Sequence, residues 1–297
     1  MMNSTSRGPH RTTRTAADRL ARQLAGLAGR LTDRDRQLCR LVFEHRVLTT
    51  PQLAQLAFTN LVTAECRLVT LYRLDLLDRF RPRRNTGSAP FHYVLGGLGA
   101  ALLAADRGIE PRELGWRRDK ALAIAYNQRL SHIVGTNGFF CALAGYAPRH
   151  PRRNAELVAW WSERRCRTTW GEIVQPDGYG RWHQHEQVLD FFLEYDNATE
   201  PTDRVAAKLE GYAALARAKD LFTPTLFWLP SPGREASVRR ALGRPEVPVA
   251  TANALEGRNP AEAVWLPLGY EHPRRRLIDL ADATAWTPAR HPANSIY

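Results

Sequence analysis

The sequence predicts a mixed α/β protein built from two domains. Its 297 residues are enough for two hydrophobic cores, and a hydrophobic content of 44% with eight tryptophans indicates a folded chain. Helical periodicity dominates the first third of the chain, whereas short apolar runs between turns, typical of strands, dominate the second half. We expect a basic, partly disordered arm over residues 1–30, a first domain over 31–105, a linker over 106–119 and a second domain over 120–297.

The first domain contains three helical patterns. Thr32 is the expected N-cap of the first helix, which ends near Arg46. Thr50 is the expected cap of the second helix, because Pro51 suits the first helical position, where a missing N–H costs nothing. The third helix is expected from about residue 63 to residue 77.

An arginine-rich hairpin is expected after the third helix, whose polar face is itself cationic. A turn over residues 85–88 joins two strand-like limbs and predicts a β-hairpin. The polar stripe of the helix consists of Thr63, Arg67, Thr70 and Arg73. The first limb of the hairpin carries Arg79, Arg81, Arg83 and Arg84.

This order of three helices and a hairpin resembles a winged helix-turn-helix domain, in which the third helix enters the major groove and the hairpin contacts the DNA backbone or minor groove. The resemblance implies that Arg67 and Arg73 reach guanine edges or phosphates. The alternative is a winged helix that serves as a protein–protein module with solvated arginines. The expected DNA-binding residues are Thr63, Arg67, Thr70, Arg73, Arg81, Arg83 and Arg84.

The charge of the chain favours a polyanionic partner. Residues 1–120 carry 21 Lys and Arg against 11 Asp and Glu, so they account for +10 of the net charge of +12. Double-stranded DNA is the expected partner, although an acidic protein surface also fits such a charge. The sequence shows no membrane-spanning run, no signal peptide and no Cys-x-x-Cys pair among its four cysteines, which favours a cytoplasmic protein.

The second domain is predicted to be a mixed sheet with helices. A helical pattern runs from about residue 120 to residue 146, and another covers residues 203–217. The resulting order is α-β-β-β-α-β, which predicts a mixed-sheet α/β domain. The strand-like runs cover residues 157–161, 188–195, 223–229, 247–250 and 264–268.

Three acids and one lysine are expected to meet at one edge of this sheet. Because side chains alternate along a strand, Glu194 and Asp196 point to the same face. Pairing of a strand over 176–182 with one over 189–196 would add a third carboxylate, Asp177, and Lys208 follows beside the apolar stripe of the next helix. The alternative is that these carboxylates cap the helix or pair with surface arginines.

The predicted architecture and the acidic motif resemble the PD-(D/E)xK restriction-endonuclease-like superfamily. There an Asp and a Glu on adjacent strands hold a divalent metal, and a lysine positions or activates the attacking water. The resemblance assigns Asp177 and Glu194 as ligands of Mg²⁺ or Mn²⁺. Asp196 stands where the motif has its lysine, so Lys208 would supply the positive charge from the following helix. The sequence leaves enzymatic activity open, because a nuclease with Asp196 at the place of the motif's lysine would be weak or inactive.

Over residues 31–217 the chain resembles the replication-relaxation family of actinobacterial plasmids and integrated elements. Besides the winged-helix block, the resemblance is carried by Trp160-Trp161-Ser162-Glu163-Arg164, Pro176-Asp177-Gly178, Phe192-Leu193-Glu194-Tyr195-Asp196 and Lys208-Leu209-x-x-Tyr212. It implies a DNA-binding protein of plasmid or mobile-element replication or transfer, with a degenerate nuclease-like domain and replication or transfer proteins as further partners. The alternative is a metal-dependent endonuclease or nickase that uses Asp177, Glu194 and Lys208. The sequence leaves the DNA site and the oligomeric state open.

Overall fold

The structure of the protein is a computed structural model that describes residues 20, 22–27, 29–83, 86–219, 223–254 and 258–286. Its described part is a mixed α/β fold, as the sequence predicts. Contacts divide the chain into two compact units, residues 1–130 and residues 131–297. Arg84 and most of the predicted arm over residues 1–30 lie outside the described residues.

In the first unit, three helices are followed by a β-hairpin, as predicted. The helices are α1 (Asp33–His45), α2 (Thr50–Ala57), α3 (Leu61–Arg73), α4 (Gly97–Asp106) and α5 (Arg118–Leu122). The strands are β1 (Leu48–Thr49), β2 (Leu77–Phe80) and β3 (His92–Leu95). They form an antiparallel sheet in the order β1-β3-β2, in which β2 and β3 are the limbs of the hairpin.

Capping side chains set the first two helix starts. Oγ1 of Thr32 accepts a hydrogen bond from the backbone N–H of Asp35, and the Asp35 carboxylate accepts one from the backbone N–H of Thr32. The predicted cap of α1 is therefore confirmed. Thr49 rather than Thr50 caps α2, so that prediction is wrong by one residue.

Helix α3 is shifted from its predicted bounds. It begins at Leu61, because Asn60 caps it by accepting a hydrogen bond from the backbone N–H of Thr63 over 2.9 Å. It ends at Arg73, and Asp75 adopts a φ of 57° in the turn that follows. The longer predicted helix is wrong, because the residues after α3 form this turn and then strand β2.

The segment that precedes the second unit is fixed to the hairpin. Arg118 pairs with Asp75, and its Nη1 lies 2.8 Å from Oδ2 of Asp78 in β2. By their contacts residues 106–130 fall in the first unit, and the linker over 106–119 stays a prediction.

The predicted continuous helix over residues 120–146 is wrong. After α5 the chain forms the short 3₁₀ helix Ala123–Tyr126, and the next helix begins only at Leu130. In the break, Oδ1 of Asn127 accepts a hydrogen bond from the backbone N–H of Arg129 over 2.8 Å, which competes with helical hydrogen bonding.

The second unit is built on a six-stranded sheet. In chain order, which is also their order in the sheet, its strands are β4 (Ala155–Ser162), β5 (Gly178–Gln184), β6 (Gln187–Tyr195), β7 (Thr225–Leu229), β8 (Val249–Asn253) and β9 (Leu266–Pro267). Strands β6, β7 and β8 are parallel, and the other neighbouring pairs are antiparallel. The helices are α6 (Leu130–Ala144), α7 (Tyr146–Arg149), α8 (Glu163–Trp170), α9 (Thr202–Lys219) and α10 (Pro232–Leu242). Three short 3₁₀ helices cover Pro151–Arg153, Ile278–Ala281 and Ala283–Trp286.

All five predicted strand runs overlap strands of this sheet, and β5 confirms the strand expected after Asp177. The prediction lacks α8 and α10. Helix α8 buries only Cys166, so its sequence shows no apolar period. Helix α10 is marked by its cap Ser231 and by Pro232 at its first position, a signal that sequence reasoning passed over.

Both faces of the sheet are buried along its inner strands. Along β6, Phe191 and Leu193 belong to the core on the α6 side, whereas Phe192 belongs to the core under α9 and α10. Because side chains alternate along a strand, Glu194 lies on the same side as Phe192, and it faces α9. The sheet therefore carries a carboxylate into the contact between β6 and α9.

Candidate functional sites

Asp177 and Glu194 lie opposite each other at the end of β5 and β6. Gly178 pairs with Leu193 in the antiparallel ladder, so the residue before β5 comes level with Glu194. Both carboxylates are buried. The structure thus brings the two predicted metal ligands side by side.

Helix α9 contacts Glu194 with two side chains from successive turns. Nζ of Lys208 lies 2.7 Å from Oε2 of Glu194, and the hydroxyl of Tyr212 donates a hydrogen bond to Oε1 over 2.5 Å. Residues four apart share a helix face, so one face of α9 engages both oxygens. Lys208 also lies 3.6 Å from the carboxylate of Glu200.

Asp177 is held from the other side of the sheet. Nε2 of His132, on α6, lies 2.9 Å from Oδ1, and the backbone N–H of Tyr195 donates to Oδ2 over 2.9 Å. Helix α6 comes close to β6 at Gly135, where an added Cβ would lie 2.3 Å from Cζ of the Tyr195 ring. His132 packs edge-on against the same ring, with 5.8 Å between the ring centres.

The two carboxyl groups have opposite pKa shifts. Burial raises the pKa of Glu194 from its ordinary value of 4.5 to about 7; the charge of Asp177 adds to the rise, and Lys208 and Tyr212 oppose it. Burial also acts to raise the pKa of Asp177, but the hydrogen bond and charge of His132 and the charge of Lys208 outweigh it, so this pKa is lowered. Asp177 therefore stays ionised, while Glu194 takes up a proton near neutral pH.

Lys208 stays charged in this environment. Burial acts to lower its pKa, but the charges of Glu194 and Asp177 and the hydrogen bond to Glu194 raise the pKa above its ordinary range. For Tyr212, burial and the neighbouring Glu194 charge both raise the pKa, so its hydroxyl remains a donor. Asp177, Glu194, Lys208, His132 and Tyr212 are called the carboxylate site below.

Asp196 is turned away from the carboxylate site. Its Oδ2 lies 2.6 Å from Nε of Arg234 on α10, and its Oδ1 accepts a hydrogen bond from the backbone N–H of Ala198 over 2.7 Å. Arg234 also donates to the backbone carbonyl of Glu200. Of the four predicted residues, the structure brings together Asp177, Glu194 and Lys208, and it compensates the charge of Asp196 with an arginine.

On α3, the residues of the predicted cationic stripe lie in different environments. Arg67 is half-buried and forms a bidentate pair with the fully buried Asp35 of α1, in which its Nε lies 2.9 Å from Oδ1. Burial acts to raise the pKa of Asp35, but the hydrogen bonds from Arg67 and Thr32 outweigh it and lower the pKa. Thr63 and Arg73 are exposed and Thr70 is half-buried, with its hydroxyl bonded to the carbonyl of Cys66.

Two arginines of the hairpin stack on one aromatic ring. The guanidinium of Arg79 lies 4.0 Å and that of Arg81 lies 3.9 Å from the centre of the Phe91 ring. Arg81 also donates to Oγ of Ser88 over 3.0 Å. Arg81 and Arg83 are exposed. The position of Arg84, the last predicted arginine, is not among those described.

The profile of the replication-relaxation family matches residues 39–227. The chain belongs to the replication-relaxation family. Membership in this family associates the chain with replication and relaxation. No curated protein and no solved structure matches the chain. Within the described ranges, every helix is too short or too polar to span a bilayer.

The replication-relaxation match covers the whole carboxylate site but not the partners of two predicted residues. Asp35, which holds Arg67, precedes the matched range, and Arg234, which holds Asp196, follows it.

Sequence reasoning missed His132, and it named Tyr212 in the family motif but gave it no contact with Glu194. The spacing of Tyr212 four residues after Lys208 is the signal that could have placed both on Glu194. His132 carries no comparable signal, because its approach to Asp177 depends on how α6 packs.

Proposed function

We propose that the protein binds duplex DNA through its first unit, as part of the replication or transfer of a plasmid or other mobile element in the cytoplasm. The order of α1, α2 and α3 followed by the β2–β3 hairpin is that of a winged helix, with α3 as the helix for the major groove. The observation that carries the proposal is the set of exposed arginines at one end of α3 and on the hairpin, Arg73, Arg81 and Arg83.

The arginines of the hairpin are suited to phosphate contacts. The stacking of Arg79 and Arg81 on Phe91 orients their guanidinium groups before DNA arrives, which reduces the entropy lost on binding. Contacts to phosphates fix the position of a protein on the duplex but carry no sequence information. The hairpin is therefore proposed to supply affinity, and α3 to supply sequence preference.

A gel-shift assay with a random-sequence duplex at low salt tests this proposal. We expect the double variant Arg81→Ala/Arg83→Ala to bind several-fold more weakly than the wild type. The matched control is Arg152→Ala/Arg153→Ala, which removes two exposed arginines from the second unit and is expected to bind as the wild type does. Failure of the wild-type protein to bind any duplex would contradict the proposal.

For the second unit, we propose a nuclease-like fold that contacts DNA or a replication or transfer protein without efficient cleavage. Both oxygens of Glu194 are already engaged, by Lys208 and Tyr212, and both oxygens of Asp177 are engaged by His132 and the Tyr195 amide. Asp196 stands where a PD-(D/E)xK enzyme has its lysine, and it pairs with Arg234 instead of supplying a positive charge to the site. These contacts support a structural rather than a catalytic role for Asp177 and Glu194.

A metal-dependent nuclease is the second candidate, and the convergence of Asp177, Glu194 and Lys208 favours it. Carboxylate oxygens are the ligands that Mg²⁺ and Mn²⁺ prefer, so Asp177 and Glu194 fit as holders of such an ion by their chemistry. The ion would supply Lewis-acid stabilisation of charge on a phosphate. It would compete with Lys208 for Oε2 of Glu194, and it would require Glu194 to lose its proton.

One assay distinguishes the metal-dependent nuclease from the binding protein. Supercoiled and single-stranded plasmid DNA are incubated with Mn²⁺ and the wild type, Glu194→Ala or Lys208→Ala. The control is Glu210→Ala, which removes an exposed carboxylate from the same helix. Nicking that both site variants lose and the control retains would establish the nuclease; intact DNA in every reaction supports the binding protein.

A further inference from the structure

The outward face of α3 carries a row of apolar side chains between polar ones. Its buried side consists of Ala64, Leu68 and Leu71. The opposite side carries Val62, Cys66, Val69 and Arg73, which follow one another at helical spacing; these four residues are called the outward stripe. The side chain of Val62 is 69% exposed, and the neighbouring Leu61 is 46% exposed.

The pairing of Arg67 directs its charge away from this stripe. Arg67 bends toward α1 and binds the buried carboxylate of Asp35, so its guanidinium does not lie on the outward stripe. The cationic end of the stripe is Arg73, at the C-terminus of the helix. In its N-terminal half the outward stripe therefore presents the methyl groups of Val62 and the thiol of Cys66, with the exposed Thr63 on one flank and the exposed Glu65 on the other.

We propose that Val62, with Leu61 and Cys66 beside it, contacts the C5 methyl groups of thymines in the major groove, so that the protein prefers sites with T·A pairs at these positions. The inference rests on the proposed binding of duplex DNA by the first unit. Among base edges in the major groove, the thymine methyl is the group that apolar side chains recognise. The N-terminal residues of a recognition helix are those that reach base edges.

Charge argues for DNA as the occupant of this face. The outward stripe ends in Arg73, and the hairpin of the same unit adds exposed Arg81 and Arg83, so the helix that carries the apolar side chains at its start has cations that match phosphates at and beyond its C-terminal end. A stable protein–protein interface buries roughly 800 Å² on each partner. Three apolar side chains at the start of one helix offer much less.

Removal of the thymine methyl groups tests the inference directly. A duplex is enriched from a random library with the wild-type protein and then synthesised with deoxyuridine in place of thymidine, which keeps every hydrogen-bonding group. We expect about fourfold weaker binding for each contacted methyl, the equivalent of about 0.8 kcal/mol per buried carbon. Val62→Ala is expected to bind both duplexes with more similar affinity than the wild type does.

Val158→Ala is the matched control, because Val158 is a similarly exposed valine, 53% accessible, in the second unit. It is expected to keep the full preference for thymidine. A thermal unfolding curve for each variant shows that the fold is retained, as expected for exposed positions.

Cys66 provides a measurement that does not depend on affinity. Cys66 is exposed, whereas Cys39, Cys141 and Cys166 are buried, so a thiol reagent labels Cys66 in the native protein. We expect the enriched duplex to protect Cys66 from labelling. Labelling that continues at the same rate in the saturated complex would show that α3 stays outside the groove, and would overturn the inference.

The outcomes separate this inference from the proposed function. Equal binding of the thymidine and deoxyuridine duplexes, in every enriched site, overturns thymine recognition and leaves DNA binding intact. Failure to enrich any duplex overturns DNA binding itself. A wild-type dimer that Val62→Glu converts to a monomer in sedimentation, with unchanged DNA affinity, would assign the stripe to a second copy of the chain and also overturn the inference.

Discussion

Lys208 donates a hydrogen bond to Glu194 over 2.7 Å, from a helix to the strand that precedes it in the chain. The positive charge of the carboxylate site therefore comes from α9, while the strand position two residues after Glu194 holds an aspartate that is paired elsewhere. A site with this arrangement has a cation, an ionised Asp177 and a Glu194 whose pKa is raised to about 7.

Glu194 makes the stability of the second unit depend on pH. Its pKa is about 7 in the folded protein against an ordinary 4.5, so the folded state binds more protons between these values and becomes less stable as pH rises through them. We expect the free energy of unfolding of the wild type to fall between pH 5 and pH 8, relative to Glu194→Gln, by at most about 3 kcal/mol. Urea denaturation at both pH values measures this, with the exposed Glu210→Gln as control. Parallel pH profiles for wild type and Glu194→Gln would contradict the raised pKa.

Arg67→Ala is expected to destabilise the first unit. The substitution leaves the carboxylate of Asp35 buried without its cation, which costs about 3–5 kcal/mol in comparable buried pairs. Arg73→Ala, on the exposed stripe of the same helix, is expected to change stability by about 0.5 kcal/mol or less. Thermal unfolding of both variants measures the difference. Equal stability of the two variants, with DNA affinity lost only in Arg67→Ala, would return Arg67 to the DNA-binding surface.

The hairpin arginines are expected to set the salt dependence of DNA binding. Each phosphate contact that is lost reduces the slope of log K against log salt by about 0.9. Arg81→Ala and Arg83→Ala should therefore flatten the slope and weaken all sequences alike, as measured by titration at several salt concentrations. A change in sequence preference with an unchanged slope would assign these arginines to bases.

Asp196→Ala is expected to cost stability without altering the carboxylate site. Arg234 is largely buried and would lose its carboxylate partner, a loss of up to about 3 kcal/mol. The pH profile that depends on Glu194 should remain, because Lys208 and Tyr212 contact Glu194 and not Asp196. The exposed Asp203→Ala is the control for stability. Loss of the Glu194 pH profile in Asp196→Ala would place Asp196 in the site after all.

The sequence predicts much of the architecture because local rules govern it. Apolar period and turns locate the strands, and the Thr32 capping box fixes the start of α1. Period two along β6 places Glu194 and Asp196 on one side of the sheet. It does not show that α9 contacts Glu194 and that α10 contacts Asp196, because this depends on how the two helices pack against that side of the sheet.

Single polar contacts are hard to predict from the sequence, because they too depend on how separate helices and strands pack. Helical spacing places Arg67 on a polar face of α3, but the buried Asp35 that binds it belongs to another helix. His132 reaches Asp177 across the packing of α6 on the sheet. Such pairs join residues far apart in the chain, and no local pattern encodes them.

Gly135 affects the carboxylate site through packing, although it has no polar side chain. A side chain at this position would strike the Tyr195 ring, against which His132 also packs. Displacement of that ring would move His132 and, through it, the partner that keeps Asp177 ionised. A residue with no functional group thus acts on the protonation of Asp177 through His132, which lies one helical turn away, and variation at Gly135 would alter the charge of the site while every polar residue in it stays the same.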